Sequence, residues 1–274
     1  MKPPKRLFRR DRASEAHETI VIDTAPPSAD FDPSRHVVQV PIARFVEIDC
    51  DHCLRGLEKL GVRVDRSKGS SAIDIARNIR ASDAIRDGFD SILFIDSDML
   101  FDPTDAITLL RSPEPVIAGA YAAKKLGNGQ LNVCFEDESQ PIRFGPWAKA
   151  PYPVKKVGAG FLRIKTAVLR QMVTDLKLPY CRMADRFAWP FFQPVVIQED
   201  GENRYLGEDY SFCWRCHQIG VTPKVDTSFR VYHIGDYAFG VEEASGVFIE
   251  RSRNIEYHVK QAQPRDPAEA VSPI

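Results

Sequence analysis

The sequence lacks the features of a membrane protein and of a strongly charged one. No apolar stretch among its 274 residues reaches the roughly 18 to 20 needed to span a bilayer. The N-terminus is basic but has no apolar core of the signal-peptide kind. With 37 Lys and Arg against 38 Asp and Glu, net charge does not favour nucleic acid or an anionic surface as a partner. We therefore expect a globular, cytoplasmic protein without a transmembrane segment.

Cysteine is also too scarce for a disulfide scaffold. The chain has six cysteines, and a cytoplasmic location would keep them reduced. Cys50 with Cys53, and Cys213 with Cys216, have the Cys-x-x-Cys spacing of half a zinc site. Zinc ribbons join such pairs through roughly 15 to 20 residues, whereas these pairs lie at opposite ends of the chain. Partly buried thiols at helical spacing are the simpler interpretation, and a zinc-stabilised binding module is an alternative.

The chain is predicted to contain one main domain between two irregular ends. Residues 1–33 are basic and proline-containing and predict a flexible arm, residues 34–240 form the domain, and residues 241–274 are expected to form a C-terminal helix and a frayed tail. Strands and helices alternate through the first half of the domain. The predicted order is strand 36–42, helix 45–60, strand 62–64, helix 72–86 and strand 91–95. This alternation predicts an α/β fold with a mainly parallel sheet, in which ligands bind at the carboxyl ends of the strands.

The second half of the domain is less regular. We expect a helix at 104–110, a buried strand at 115–121, and a helix at 166–176. Residues 187–198 are rich in aromatics and proline, and no regular element is predicted there. The aromatic part of this segment, 187–192, is a candidate surface for an acceptor substrate or a piece of the core.

A short apolar strand ends in two carboxylates, Asp96 and Asp98, that are separated by one residue. Because successive side chains on a strand face opposite ways, both carboxylates are predicted to point to the same side where the strand leaves the sheet. This pattern is typical of dehalogenase-type phosphatases and of nucleotide-sugar transferases. Phosphatases of that type usually have Thr or Val where this chain has Leu100, which favours the transferase.

Two later segments carry further candidate residues. Glu208 and Asp209 stand at a predicted helix start, where carboxylates are also common as simple caps. His233 ends an alternating strand and adjoins Gly235. Together with the aspartate motif, these segments resemble, in sequence order, the glycosyltransferases of the GT-A fold, particularly family 2-like members that use nucleotide-sugar donors. The resemblance spans roughly residues 36–235 and rests on residues 75–78, 94–98, 157–162, 207–212 and 231–233.

The resemblance implies a GT-A, Rossmann-like α/β/α sandwich with a mixed, mainly parallel sheet, and it implies roles for particular residues. Asp98 would coordinate Mn²⁺ or Mg²⁺, Asp96 would lie at the metal site and reach the donor ribose or a metal-bound water, and His233 would complete the metal shell. Arg77 and Asn78 would meet the nucleotide or its diphosphate.

The glycines and the second carboxylate pair have implied roles as well. Gly158 and Gly160 would let the backbone approach the donor sugar. Asp209 would act as general base, with Glu208 binding or supporting the acceptor, although the sequence leaves open which carboxylate is the base.

The implied activity is the metal-dependent transfer of a sugar from a nucleotide-diphosphate donor, with a UDP-sugar favoured, to a hydroxyl acceptor of unknown identity. Inversion at the anomeric carbon is favoured over retention. A nucleotidyltransferase acting on a sugar phosphate is an alternative, but it would normally show a Gly-rich basic loop near residues 36–50. The usual opening strand and polar turn of family 2 are replaced here by residues 41–45. The nucleobase contact is therefore undecided between Asp49 and Asp65.

Overall fold

The fold is described from a computed structural model. The structure describes residues 31–68, 72–124, 130–139, 141–148, 150–235, 238–242 and 255–257. Most of the predicted arm (1–33), and all of the predicted C-terminal helix and tail (241–274) except 241–242 and 255–257, lie outside these ranges and stay predictions. Within the described ranges, no helix is long and apolar enough to cross a membrane.

Five α-helices, one short 3-10 helix (Pro33–Arg35) and seventeen strands form the regular structure in the described part of the chain. The helices are α1 (Ile48–Lys59), α2 (Ile73–Arg86), α3 (Pro103–Arg111), α4 (Thr166–Asp175) and α5 (Glu208–Gln218). The strands are β1 (His36–Ile42), β2 (Arg63–Lys68), β3 (Ser91–Ile95), β4 (Met99–Phe101), β5 (Val116–Gly119), β6 (Val133–Phe135), β7 (Ile142–Phe144), β8 (Tyr152–Val157), β9 (Phe161–Lys165), β10 (Cys181–Met183), β11 (Arg186–Ala188), β12 (Val195–Glu199), β13 (Glu202–Leu206), β14 (Lys224–Asp226), β15 (Val231–Ile234), β16 (Ala238–Phe239) and β17 (Ile255–Tyr257).

The central sheet has eight strands in the order β2-β1-β3-β9-β5-β14-β8-β6. Its parallel pairs are β1 with β2, β1 with β3, and β5 with β14, whereas β9 and β8 run antiparallel to their neighbours. All of the strands except β8 and β9 therefore point in one direction. This confirms the predicted α/β fold class with a mixed, mainly parallel central sheet.

The strand order reverses at β1. The chain runs from β1 through α1 to β2 on one side, and then from β2 through α2 to β3 on the other side of β1. Right-handed crossovers in opposite directions place the two connecting helices on opposite faces of the sheet. A crevice forms outside the carboxyl ends of the strands at such a reversal.

The main core lies between the sheet and one layer of helices. Helices α2, α4 and α5 contact one another, and they bury apolar side chains such as Ala81, Leu169 and Phe212 against the strands. Helix α1 contacts α3, and its buried residues include Leu54 and Leu57. This arrangement holds the first turn of α2 beside the carboxyl end of β3.

The segment without a predicted element, 187–198, overlaps two hairpins in the structure. Strand β10 pairs with β11, and β12 pairs with β13, both antiparallel. The expectation of no regular element at 187–198 is wrong for β12 and for the end of β11. The turn between β12 and β13 contains Asp200 and Gly201, both at positive φ, and Asp-Gly is a strong hairpin signal that the sequence offered.

Candidate active site

A cleft of about 190 Å³ opens at the carboxyl ends of β1, β2 and β3. Its walls come from the ends of these strands, the turn after β3 and the first turn of α2. The lining residues are Pro41, Ile42, Ala43, Ser67, Ile73, Ala76, Asp96, Ser97 and Asp98. Both aspartates of the motif therefore line the crevice that the strand order creates.

Backbone hydrogen bonds hold the turn that carries the two aspartates. The Asp96 amide donates to the Gly160 carbonyl oxygen at 2.9 Å, which ties the turn to the start of β9. On the other side, the Glu47 amide donates to the Ser97 carbonyl oxygen at 2.8 Å. The loop between β1 and α1 is thus fastened to the turn, and the carboxylates are presented from a fixed backbone.

Strand pairing brings His233 to Asp98. Strand β15 runs antiparallel to β4 with His233 opposite Met99, and the Ile234 amide donates to the Asp98 carbonyl oxygen at 2.7 Å. His233 Nε2 lies 3.5 Å from Asp98 Oδ1. The other ring nitrogen, Nδ1, lies 3.3 Å from the Ala122 carbonyl oxygen. Because a carbonyl oxygen only accepts, this contact favours a proton on Nδ1 and directs Nε2 towards Asp98.

The second carboxylate oxygen of Asp98 has a lysine partner. Lys124 Nζ donates to Asp98 Oδ2 at 2.5 Å. Burial raises the pKa of Asp98, but hydrogen bonds from His233 and Lys124 and their positive charge outweigh burial, so this pKa is lowered overall. Asp98 is therefore held as a carboxylate with one oxygen facing an imidazole and the other facing an ammonium group.

A buried arginine joins the aspartate motif to the start of α5. The Arg77 side chain is 3% exposed, and its NH2 and NH1 groups donate to Asp96 Oδ1 at 2.8 Å and to Glu208 Oε1 at 2.6 Å. Burial lowers the pKa of Arg77, but the two carboxylates more than compensate and raise it. The resemblance implies that Arg77 meets the nucleotide or its diphosphate, which stays a prediction; in the structure its guanidinium links two carboxylates of the site.

Glu208 and Asp209 differ in their surroundings although they are adjacent. Glu208 is paired with Arg77, whereas Asp209 Oδ1 accepts a 2.7 Å hydrogen bond from the Tyr210 amide. Burial, and then the negative charge of Glu208, raise the pKa of Asp209 to about 6. This difference makes Asp209 the better candidate for a proton acceptor near neutral pH, whereas the Glu208 carboxylate is held by Arg77.

Tyr121, which the sequence did not single out, packs in the middle of the site. Its hydroxyl accepts from the Gly160 amide at 3.1 Å, and its ring meets the His233 ring edge-on with centroids 5.4 Å apart. A Cβ atom added at Gly160 would lie 2.6 Å from the Tyr121 hydroxyl oxygen and 2.8 Å from Asp96 Oδ2, and one at Gly158 would lie 2.8 Å from the same hydroxyl. Both glycines therefore leave space for the Tyr121 side chain. This packing requires glycine at the two positions whether or not a donor sugar binds there.

We expect Gly160→Ala to destabilise the protein by about 1–3 kcal/mol, because the added methyl group forces Tyr121 or Asp96 to move in a packed interior. Urea denaturation measures the change. Gly207→Ala is the matched control, since the nearest atom to its added Cβ is Asp209 Oδ1 at 3.9 Å, and its cost should stay below about 1 kcal/mol. The double variant Gly160→Ala with Tyr121→Phe should recover part of the loss. An unchanged stability in Gly160→Ala would contradict this packing.

Asn78 lies in the core instead of lining the cleft. It is 1% exposed, and its Oδ1 accepts from the Phe192 amide at 2.7 Å. The Phe192 ring stacks on Phe212 with centroids 4.7 Å apart, and both Phe191 and Phe192 are fully buried. In the aromatic segment, Phe187 is 53% exposed. Asn78 thus fastens the aromatic segment to α2, and only the first part of that segment offers a surface for an acceptor.

The residues around Asp98 were tested for their fit to a divalent cation. No group of three or more His, Cys, Asp or Glu side chains suited to a metal occurs in the part of the chain that the structure describes. Asp98 Oδ1 and His233 Nε2, however, face each other at 3.5 Å, and ligands of one divalent ion lie roughly 3 Å apart. The Ala122 contact also orients the imidazole as metal-bound histidines are usually oriented. This pair fits Mn²⁺ or Mg²⁺, whereas Asp96 Oδ1 is bound to Arg77 instead.

The cysteine pairs are packed into the protein interior. Cys50 and Cys53 are buried on α1, and Cys213 and Cys216 are buried on α5 within the main core. Burial raises the pKa of Cys50 and of Cys213 to about 12. These thiols are therefore protonated at neutral pH, as expected for side chains that fill a core.

Comparisons with solved structures find similar folds at low sequence identity. Protein A197 from STIV is 18% identical with a TM-score of 0.48, over 85% of this chain and 100% of that chain. GalNAc-T7, crystallised with UDP, GalNAc and Mn²⁺, is 11% identical with a TM-score of 0.41, over 73% of this chain and 44% of that chain. The catalytic domain of Drosophila β1,4-galactosyltransferase 7 is 12% identical with a TM-score of 0.35, over 82% of this chain and 71% of that chain. No protein-family model and no curated protein matches the sequence.

Proposed function

We propose that the protein is a metal-dependent glycosyltransferase that moves a sugar from a nucleotide-diphosphate donor, with a UDP-sugar as the first candidate, to a hydroxyl acceptor. The observation that carries the proposal is the link from Asp96 through Arg77 to Glu208, beside the pairing of Asp98 with His233. Motifs that are far apart in the sequence thus contact Asp96 and Asp98, which line the cleft. A transferase needs this combination, because the donor diphosphate and the acceptor base must lie next to each other.

The proposed reaction is a single displacement at the anomeric carbon. The bond from this carbon to the diphosphate oxygen breaks, and its electron pair stays on the diphosphate. The acceptor oxygen forms the new bond, and its proton passes to a carboxylate oxygen of Asp209. Asp98 and His233 would hold Mn²⁺ or Mg²⁺, whose Lewis acidity offsets the charge that develops on the leaving group. One base and one displacement lead to inversion.

Arg77 supports this reaction as a positioning residue. Its guanidinium holds the carboxylate of Asp96 at the cleft and that of Glu208 at the start of α5. Burial raises the pKa of Asp209 most, and the negative charge of the neighbouring Glu208 raises it further, whereas the positive charge of Arg77 lowers it. The buried cation therefore fixes the geometry of the carboxylates, and the raised pKa of Asp209 comes from burial and from Glu208.

The pH dependence of transfer tests the role of Asp209. Because the base must be deprotonated and its pKa is about 6, kcat/KM should be flat above pH 7 and fall about tenfold per pH unit below pH 6. Asp209→Asn should lower kcat by about 10²- to 10⁴-fold and remove this acidic limb. Glu208→Gln should move the limb to lower pH, since it removes a negative charge that raises the pKa of Asp209. If the acidic limb of the pH profile remains in Asp209→Asn, it arises from the titration of another group.

A thermal-shift screen tests the donor class. A ligand that binds only the folded state at 100 times its Kd stabilises that state by about 2.7 kcal/mol. We expect UDP, or another nucleoside diphosphate, to raise the melting temperature with Mn²⁺ present and to have a much smaller effect without it. The absence of a shift for every nucleoside diphosphate would contradict the proposal.

A further inference from the structure

Lys124 contacts the same carboxylate that is proposed to hold the metal. Its Nζ is 2.5 Å from Asp98 Oδ2, while His233 Nε2 faces Oδ1 of the same side chain. The two partners of this ion pair are each partly exposed, with 35% of the Lys124 side chain and 27% of the Asp98 side chain accessible. Both partners of the ion pair are therefore partly accessible to solvent, and Asp98 lines the cleft.

The protein backbone provides space for the Lys124 side chain. A Cβ atom added at Gly235 would lie 3.2 Å from Lys124 Cδ, so the glycine two residues after His233 leaves room for the lysine stem. The segment that precedes Lys124 is also part of the site, because Tyr121 packs against the His233 ring and the Ala122 carbonyl contacts its Nδ1. The residues around Lys124 thus also position His233, which is proposed to hold the metal together with Asp98.

We propose that Lys124 is a diphosphate-binding residue of the transferase, which leaves Asp98 when the metal and the donor bind and then contacts a phosphate oxygen of the donor. This inference rests on the proposed function. A lysine ammonium group is a compact charge that binds phosphate well. A cation on Asp98 Oδ2 and a divalent ion on Oδ1 would repel each other across one carboxylate. The anionic diphosphate relieves this repulsion by giving the ammonium group a new partner.

The proposal predicts effects of opposite sign on two ligands. Removing the lysine charge in Lys124→Met frees Asp98 from a competing cation, so Mn²⁺ alone should bind several-fold more tightly. The same variant should bind UDP at saturating Mn²⁺ about 10- to 100-fold more weakly, because one charge-assisted hydrogen bond is lost. A merely structural role for Lys124 would weaken both interactions together.

Two titrations of the full chain test the proposal. The first measures Mn²⁺ binding, with the free ion detected by electron paramagnetic resonance, and the second measures UDP binding at saturating Mn²⁺ by calorimetry. Lys124→Arg should restore most of the UDP affinity, and Lys59→Met, which removes an exposed charge at the end of α1, should match the wild type in both titrations. Weaker or unchanged Mn²⁺ binding by Lys124→Met would overturn the proposal, and so would unchanged UDP binding. If the wild type binds no nucleoside diphosphate, the proposed function fails as well, while the Mn²⁺ titration still reports whether Lys124 competes for Asp98.

Discussion

Asp98→Ala is expected to lower sugar transfer by about 10³-fold or more while the protein stays folded. The variant removes the carboxylate that faces His233 Nε2 and Lys124 Nζ, and with it the anchor for the cation that neutralises the leaving group. Charge stabilisation of this kind contributes several kcal/mol to a transition state. Steady-state kinetics with a saturating donor measure the loss.

Two controls make the Asp98 result specific. Asp175→Ala removes an exposed carboxylate at the end of α4 and should keep its transfer rate within about twofold of the wild type. The melting temperature of Asp98→Ala should stay within a few degrees of the wild-type value, because both charged partners of Asp98 are partly exposed. A rate near the wild-type level in folded Asp98→Ala would remove Asp98 from the mechanism.

Arg77→Met is expected to produce the largest loss of folding stability, about 3 kcal/mol. Arg77 is 3% exposed and pairs with two carboxylates, so its removal leaves Asp96 and Glu208 close to each other without a compensating charge. The stability of Arg77→Lys should lie between that of Arg77→Met and that of the wild type, since one ammonium group cannot reproduce the planar contact with two partners. The midpoint of urea denaturation gives the free-energy difference for each variant.

Arg80→Met is the matched control for the Arg77 prediction. Arg80 lies on the same helix, its side chain is 27% exposed, and it meets Asp83 at a longer distance of 3.3 Å. Asp83 keeps its contacts with Arg86 and Arg186 when Arg80 is removed. The expected loss is therefore below about 1 kcal/mol. Similar losses for the two variants would contradict the special role of the buried Arg77 bridge.

The sequence predicted those parts of the fold that depend on local pattern. The alternation of strands and helices from His36 to Ile95 gave the correct element types, with helix ends that moved by up to three residues. Asp96 and Asp98 both line the cleft, but they lie in the turn after β3 and not on the strand itself, so the period-2 argument does not account for their placement. The hairpin from β12 to β13 was missed although its Asp-Gly turn is a local signal.

Contacts between distant residues could not be predicted from the sequence. Arg77 is separated from Asp96 by 19 residues and from Glu208 by 131, so a surface position on α2 and a buried bridge look the same in a sequence pattern. Asn78 likewise has the chemistry of a ligand contact, but the distant Phe192 amide takes its oxygen. Tyr121 gains its place only when β5, β9 and β15 come together. Such roles depend on packing between elements, which periodicity does not encode.

The products formed from a nucleotide sugar test the central claim most directly. A panel of UDP-, GDP- and dTDP-sugars is incubated with the protein, Mg²⁺ and pyrophosphate, and the phosphorus resonances of the products are followed over time. A glycosyltransferase releases a nucleoside diphosphate, by slow hydrolysis or by transfer to an added acceptor, and Asp98→Ala should abolish this signal. Formation of a nucleoside triphosphate and a sugar 1-phosphate would instead identify a nucleotidyltransferase, and would contradict the function proposed for this cleft.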